Sequence, residues 1–102
     1  MNRALALALT AALASAAPLS QAQTSPTQVK SWAAGCASCH GTNGQAQPGM
    51  PPLAGKNAAD MTDKLLAYKS GAAPSTIMTQ LAKGYSDDQL KAIAGYFAAQ
   101  KK

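Results

Sequence analysis

Hydrophobic residues in this chain recur every three to four positions over most of its length, and no segment alternates apolar and polar residues singly. That period predicts helices and no strands, hence an all-α fold. The last helix is the clearest. Ser86-Asp87-Asp88-Gln89 reads as a capping box with acids in the first turn, where they complement the helix dipole. Leu90, Ile93, Ala94 and Phe97 then form one apolar stripe, and lysines close the end. Gly95 within it costs about 1 kcal/mol relative to alanine. Close approach of another backbone, with the first helix as the candidate, would offset that cost.

The first helix opens at Ser25-Pro26-Thr27-Gln28, with serine at the cap, proline at the first helical position and glutamine closing a capping box. Val29, Trp32, Ala33 and Cys36 follow on one face. A second helix is expected over about 58–69, capped by Asn57 or Asp60 and ended by Gly71, with Met61, Leu65 and Tyr68 along one side and Leu66 beside them. The segment 76–83 holds a turn or two of helix before Gly84 stops it. Between the first two helices, Gly41 to Gly55 contains four glycines and three prolines, which excludes a long regular element. So long a loop in a small domain calls for an explanation, and wrapping the edge of a flat cofactor supplies one.

The N-terminus reads differently. Asn2 and Arg3 lead into an apolar run from Ala4 to about Ala17, followed by small residues. This is the pattern of a secretory signal peptide, and the run is shorter than the roughly 20 residues a bilayer requires. Cleavage is expected after Ala22, behind Ser20-Gln21-Ala22, with a cut after Ala16 as the alternative. The chain thus divides into a signal segment, 1–22, and one domain, 23–102. The expected location is the periplasm, with no integral membrane segment in the mature form.

A domain this small gains little net stability from its own core and needs a supplement. A disulfide between Cys36 and Cys39 would close too short a loop to constrain much. A large apolar cofactor tied to those sulfurs would add far more, at about 25 cal/mol per Å² covered. Beyond residue 22 there are eight lysines and four acids, Asp60, Asp63, Asp87 and Asp88, a formal charge of +4. That weak positive field suits acidic partner surfaces, and equally it suits plain solubility. It does not suit nucleic acid, because no basic run precedes the Lys101-Lys102 tail and no aromatics interleave with the charges.

The decisive signal is Cys36-Ala37-Ser38-Cys39-His40, the C-x-x-C-H attachment motif of a c-type haem. Two sulfurs one helical turn apart can form thioethers with the two vinyl groups, and the adjoining imidazole then faces the iron. A redox dithiol would need a βαβ setting that is missing, and a structural zinc would lack a fourth ligand. His40 is the sole histidine, so a second histidine ligand within the chain is excluded. The sixth position falls to methionine, lysine, an external molecule or nothing. Met61 lies on the apolar stripe of its helix, where a core role is ordinary. Met50 follows His40 by only ten residues, so its loop would have to cross the ring edge almost at once. Met78, in the irregular stretch before the last helix, is the favoured distal ligand. Met50, Met61 and an open position remain as alternatives. An imidazole and a thioether together raise the potential and leave no site for a substrate, which suits electron transfer and not catalysis.

With these residues in place, the chain resembles the single-haem class I cytochromes c over all of 23–102. The resemblance implies three to four helices wrapped around one covalent haem. It puts Cys36 and Cys39 at the attachment points, His40 at the proximal iron position and Met78 at the distal one. Pro51-Pro52-Leu53-Ala54-Gly55 is similar to the family's Pro-x-Leu-x-Gly stretch. By that likeness the Pro51 carbonyl accepts from His40 and Leu53 packs on the haem. Trp32 stands at the family's helix-one aromatic, and Gly95, Tyr96 and Phe97 stand where the last helix crosses the first. Gln28 replaces a glycine common in relatives at that crossing, so close approach would rest on Gly95 and the alanines. The tract from Ser75 to Ser86 resembles the cytochrome subunit of flavocytochrome c sulfide dehydrogenases. The implied partners are redox proteins, whether a flavoprotein sulfide dehydrogenase subunit or a terminal oxidase. No dinucleotide fingerprint is present, so any flavin would belong to the partner.

Overall fold

A computed structural model describes residues 24–102; the expected signal segment lies outside the described residues. The described residues form four helices, α1 Pro26–His40, α2 Ala58–Ser70, α3 Met78–Ala82 and α4 Asp87–Ala98, with a single 3-10 turn at Thr42–Gly44. Helices α1, α2 and α4 each start where their capping chemistry is written. Ser25 is extended, and its Oγ accepts the Gln28 N–H at 3.2 Å, with Pro26 at the first position. Asn57, rather than Asp60, caps α2: its Oδ1 accepts the Asp60 N–H at 3.0 Å. At α4 the capping box closes in both directions, Ser86 Oγ taking the Gln89 N–H at 3.1 Å and Gln89 Oε1 taking the Ser86 N–H at 2.8 Å. At α1 only the serine half of the expected box forms among the described residues. Gly71 ends α2 at φ 81°, a conformation glycine adopts without strain.

The core lies between α1 and α4. Ala33, Ile93 and Phe97 form its buried cluster, and Trp32, Cys36, Leu53, Met61, Tyr85 and Tyr96 pack against it. All four residues of the α4 stripe, Leu90, Ile93, Ala94 and Phe97, are buried. Phe97 and Leu90 are the largest fully covered side chains, each contributing about 1.5–3 kcal/mol through burial. Against this firm pair, α2 packs on α3 and α4 and contributes no fully buried side chain. Its expected face of Met61, Leu65, Leu66 and Tyr68 is half-buried throughout.

Two details differ from expectation. Gly95 does not admit a neighbouring backbone: it is exposed, and a Cβ built there meets nothing within 4 Å. It lies across the helix from the buried stripe, so the α1–α4 crossing closes instead on small buried alanines, Ala33 and Ala94. Phe97 and Tyr96 do pack at that crossing, as the resemblance implied. The terminal lysines also miss the helix. α4 stops at Ala98 with no basic residue in its last turn, and Gln100 Nε2 donates to the Tyr96 carbonyl at 2.9 Å in their place.

The glycine that packing does require is Gly44, in the loop after α1. It is buried at φ 75°, and an added Cβ would stand 2.8 Å from the Ala54 nitrogen, 2.8 Å from Phe97 Cδ1 and 2.9 Å from Leu53 Cβ. Its carbonyl accepts the N–H groups of Leu53 at 2.9 Å and Ala54 at 3.0 Å, while the Gly55 N–H reaches the Phe97 carbonyl at 2.9 Å. Neighbouring Asn43 is held by the Tyr96 hydroxyl, which donates to its Oδ1 at 2.8 Å. The loop is therefore seated on α4.

Opposite outcomes are expected at the two glycines. Gly44→Ala should lower stability by about 2–4 kcal/mol through strain and overlap with backbone atoms. Gly95→Ala should raise it by about 0.5–1 kcal/mol by improving helix propensity at an open position. Guanidinium unfolding of the haem-loaded variants, with the slope compared to that of the parent, checks both.

Candidate haem site

The site is assembled on the last turn of α1. Cys36 and Cys39 are free thiols one turn apart, the first half-buried and the second exposed. Burial pushes the Cys36 thiol up from its ordinary value, and a backbone hydrogen bond offsets part of that effect. A reactive dithiol calls for the reverse, a thiol whose surroundings favour the thiolate.

His40 closes α1 and is its one buried polar residue, 8% exposed. Its Nδ1 lies 2.8 Å from the carbonyl oxygen of Pro51. A carbonyl can only accept, so this contact puts the ring proton on Nδ1 and leaves Nε2 with a free lone pair directed away from the bond. The backbone around the ring is equally constrained: the His40 carbonyl accepts the Ala46 N–H at 2.8 Å, and Gly41 N–H bonds to Ala37 at 3.0 Å. The bond to Pro51 is the one the sequence resemblance implied. It forms because the Gly44 seat turns the loop back toward α1.

The three methionines occupy different settings. Met61 packs against the Ala33–Ile93–Phe97 cluster from α2, the ordinary core role. Met50 sits on the loop just before Pro51, 37% exposed. Met78 is the first residue of α3, half-buried, with Ile77 before it 55% exposed and Leu81 one turn later 46% exposed. Leu53 packs against the buried cluster between α1 and α4. Among the lysines, Lys69 is committed: its Nζ pairs with Asp87 Oδ1 at 2.8 Å, tying α2 to the start of α4. Lys56, Lys64, Lys83 and Lys91 are exposed. Tyr85 is half-buried against the core, and its hydroxyl lies 3.5 Å from the point where a Gly35 Cβ would stand.

These residues fit a covalent haem by the chemistry of the donor set. Two thiols one turn apart, an imidazole with its second nitrogen free, and a loop locked to that imidazole meet on one element. Apolar side chains left partly uncovered on α2 and α3, with Leu81 and Ile77 among them, offer the surface a flat apolar ring would cover. Sequence reasoning missed Gly44, Asn43 and Tyr96 as the parts that seat the loop. The Asn43-Gly44 pair, a frequent tight-turn dipeptide, was the one signal that could have pointed there.

Comparison with known proteins agrees. The family model for cytochrome c matches residues 29–101. The cytochrome subunit of sulfide dehydrogenase from Chlorobaculum tepidum is 39% identical over 61% of this chain and 56% of its own length. The thiosulfate dehydrogenase electron acceptor of Thiomonas intermedia is 38% identical over 99% of this chain and 45% of its own. The chain thus spans about half the length of these two relatives. Cytochrome c-554(548) of Halomonas halodenitrificans, 36% identical, is matched over 84% of its length and 65% of this chain. With four helices and no strand among its described residues, and a C-x-x-C-H turn locked to the following loop, the chain belongs to the cytochrome c family and is an electron-transfer haem c domain.

Proposed function

We propose that the protein is an exported one-electron carrier in which His40 would be the proximal and Met78 the distal ligand of the haem iron. The observation that carries this reading is the bond from His40 Nδ1 to the Pro51 carbonyl, which leaves Nε2 as the ring nitrogen available to a metal on the same helix as the two attachment thiols. Bound haem supplies an iron that gains and loses one electron. Cys36 and Cys39 hold the ring to α1 through two thioethers, so the cofactor is not lost outside the cell. The Pro51 carbonyl fixes the orientation of the imidazole and increases its basicity toward the metal. Leu53 covers the ring beside this bond. The Met78 thioether fills the remaining position, raises the potential and closes the site to substrates.

Met78 is preferred over the other two methionines on their settings. Met61 is engaged with the core, and Met50 lies on the same loop as Pro51, which the imidazole bond holds on the proximal side. The segment 1–22 directs export and is removed, so the carrier works in the periplasm. No helix among the described residues is long and apolar enough to cross a membrane.

The relatives supply the direction of electron flow. One is named a cytochrome subunit of sulfide dehydrogenase and another an electron acceptor for thiosulfate dehydrogenase. The carrier therefore takes electrons from an enzyme oxidising an inorganic sulfur compound and delivers them to a further redox protein such as a terminal oxidase. The second reading makes the chain the haem subunit of a flavoprotein sulfide dehydrogenase, which the first of those relatives favours.

Two measurements test these readings. In Met78→Ala the weak far-red absorption of a sulfur–iron(III) bond should vanish and the potential should fall, while Met50→Ala and Met61→Ala keep the band. Purification from the native source, followed by a haem and flavin count, separates carrier from subunit. The expected product is a haem protein without flavin; an equimolar flavoprotein companion supports the subunit reading instead.

A further inference from the structure

Met78 stands on the shortest α-helix of the fold. α3 has five residues, far below the length at which a helix sustains itself in water, and only Ala82 of it is buried. α3 leans on α2, and Ile77 and Leu81, 55% and 46% exposed, belong to the surface that a haem would cover. Ile77, at the cap position, makes no side-chain bond to the helix. Segments with so few anchors open locally at low cost.

One set of contacts opposes this. Ser75 Oγ accepts the Thr79 N–H at 3.0 Å and lies 2.9 Å from Thr79 Oγ1, with one hydroxyl donating to the other. These two bonds span residues 75–79 and enclose Met78. Ser75 does here what a cap does elsewhere: it satisfies an N–H of the first turn that has no partner within the helix. Thr79 continues the tie downstream, its carbonyl accepting the Lys83 N–H at 3.3 Å.

We infer that Ser75 is a positioning residue which, through Thr79, holds the start of α3 so that the Met78 thioether stays on the iron. The inference rests on the reading of Met78 as the distal ligand. Its mechanism is a two-state equilibrium, thioether on or off. An external ligand binds only the off state, so its apparent affinity is scaled by the population of that state. Loss of one cap bond raises that population by about fivefold.

The experiment is an imidazole titration of the ferric haem-loaded protein, followed by the shift of the main haem absorption band, which every variant possesses, beside guanidinium unfolding followed by far-UV dichroism. Ser75→Ala should bind imidazole about fivefold more tightly than the parent. Thr79→Val, which keeps the backbone bond to Ser75, should show a smaller gain, and Ser75→Thr should restore the parental affinity. Met78→Ala sets the upper limit. The inference is overturned if Ser75→Ala keeps the parental affinity while Met78→Ala binds more tightly. It is overturned too if Ser75→Thr behaves like Ser75→Ala. If Met78→Ala itself binds imidazole no better than the parent, the ligand assignment fails and the inference fails with it, a pattern distinct from the others.

Discussion

The contact on which this structure turns is the 2.8 Å bond between His40 Nδ1 and the Pro51 carbonyl. It joins the last residue of a helix to a point eleven residues further on, across a glycine- and proline-rich loop. An imidazole at a helix end is free to rotate unless one nitrogen is taken. Here a backbone carbonyl takes it, settles the tautomer and aims the other nitrogen. The bond in turn depends on the path of the loop. Gly44 lies where a Cβ would meet Ala54, Phe97 and Leu53 within 3 Å, so the tight return is open to glycine alone. Metal-ligand geometry thus rests on a residue with no side chain, seated on an aromatic ring of the last helix.

Stability is unevenly distributed around that contact. α1 and α4 share a core of Ala33, Ile93 and Phe97, and Tyr96 and Phe97 meet edge to face with ring centres 5.2 Å apart. α2 and α3 have no comparable share of buried surface. They are tied to the rest by half-buried side chains, an exposed Lys69–Asp87 pair and short hydroxyl bonds. An exposed ion pair of that kind contributes at most about 1 kcal/mol. A haem held on α1 through Cys36 and Cys39 would join the two halves, because its apolar faces would replace core that so short a chain does not possess.

The proximal and distal sides of the site differ for the same reason. His40 is buried, hydrogen-bonded and set at the end of a helix with a well-packed partner. Met78 begins a five-residue helix between two exposed apolar neighbours. In a carrier that only changes charge, the proximal ligand and both thioethers can be rigid. On the ligation proposed above, the Met78 side would be the place where local opening is cheapest.

Much of this was legible in the residues themselves. The helix starts at Ser25, Asn57 and Ser86 follow from caps that bond three residues ahead, and the α4 stripe is buried in full because its four positions share one face of one helix. C-x-x-C-H could be read for the same reason, since attachment and ligation are decided within a single turn. The remainder depended on pairings across long separations. Tyr96 reaches Asn43 over 53 residues and Gln45 reaches Lys101 over 56, and no local pattern announces either. Gly95 shows the converse, a glycine that resembles a crossing point in sequence but faces away from one in space. Sequence alone determined the helical class, the caps and the attachment chemistry, because those interactions act within about one turn of helix. Which glycine is indispensable and what seats the loop on the last helix were decided only by the tertiary structure, because each depends on what distant segments leave open or fill.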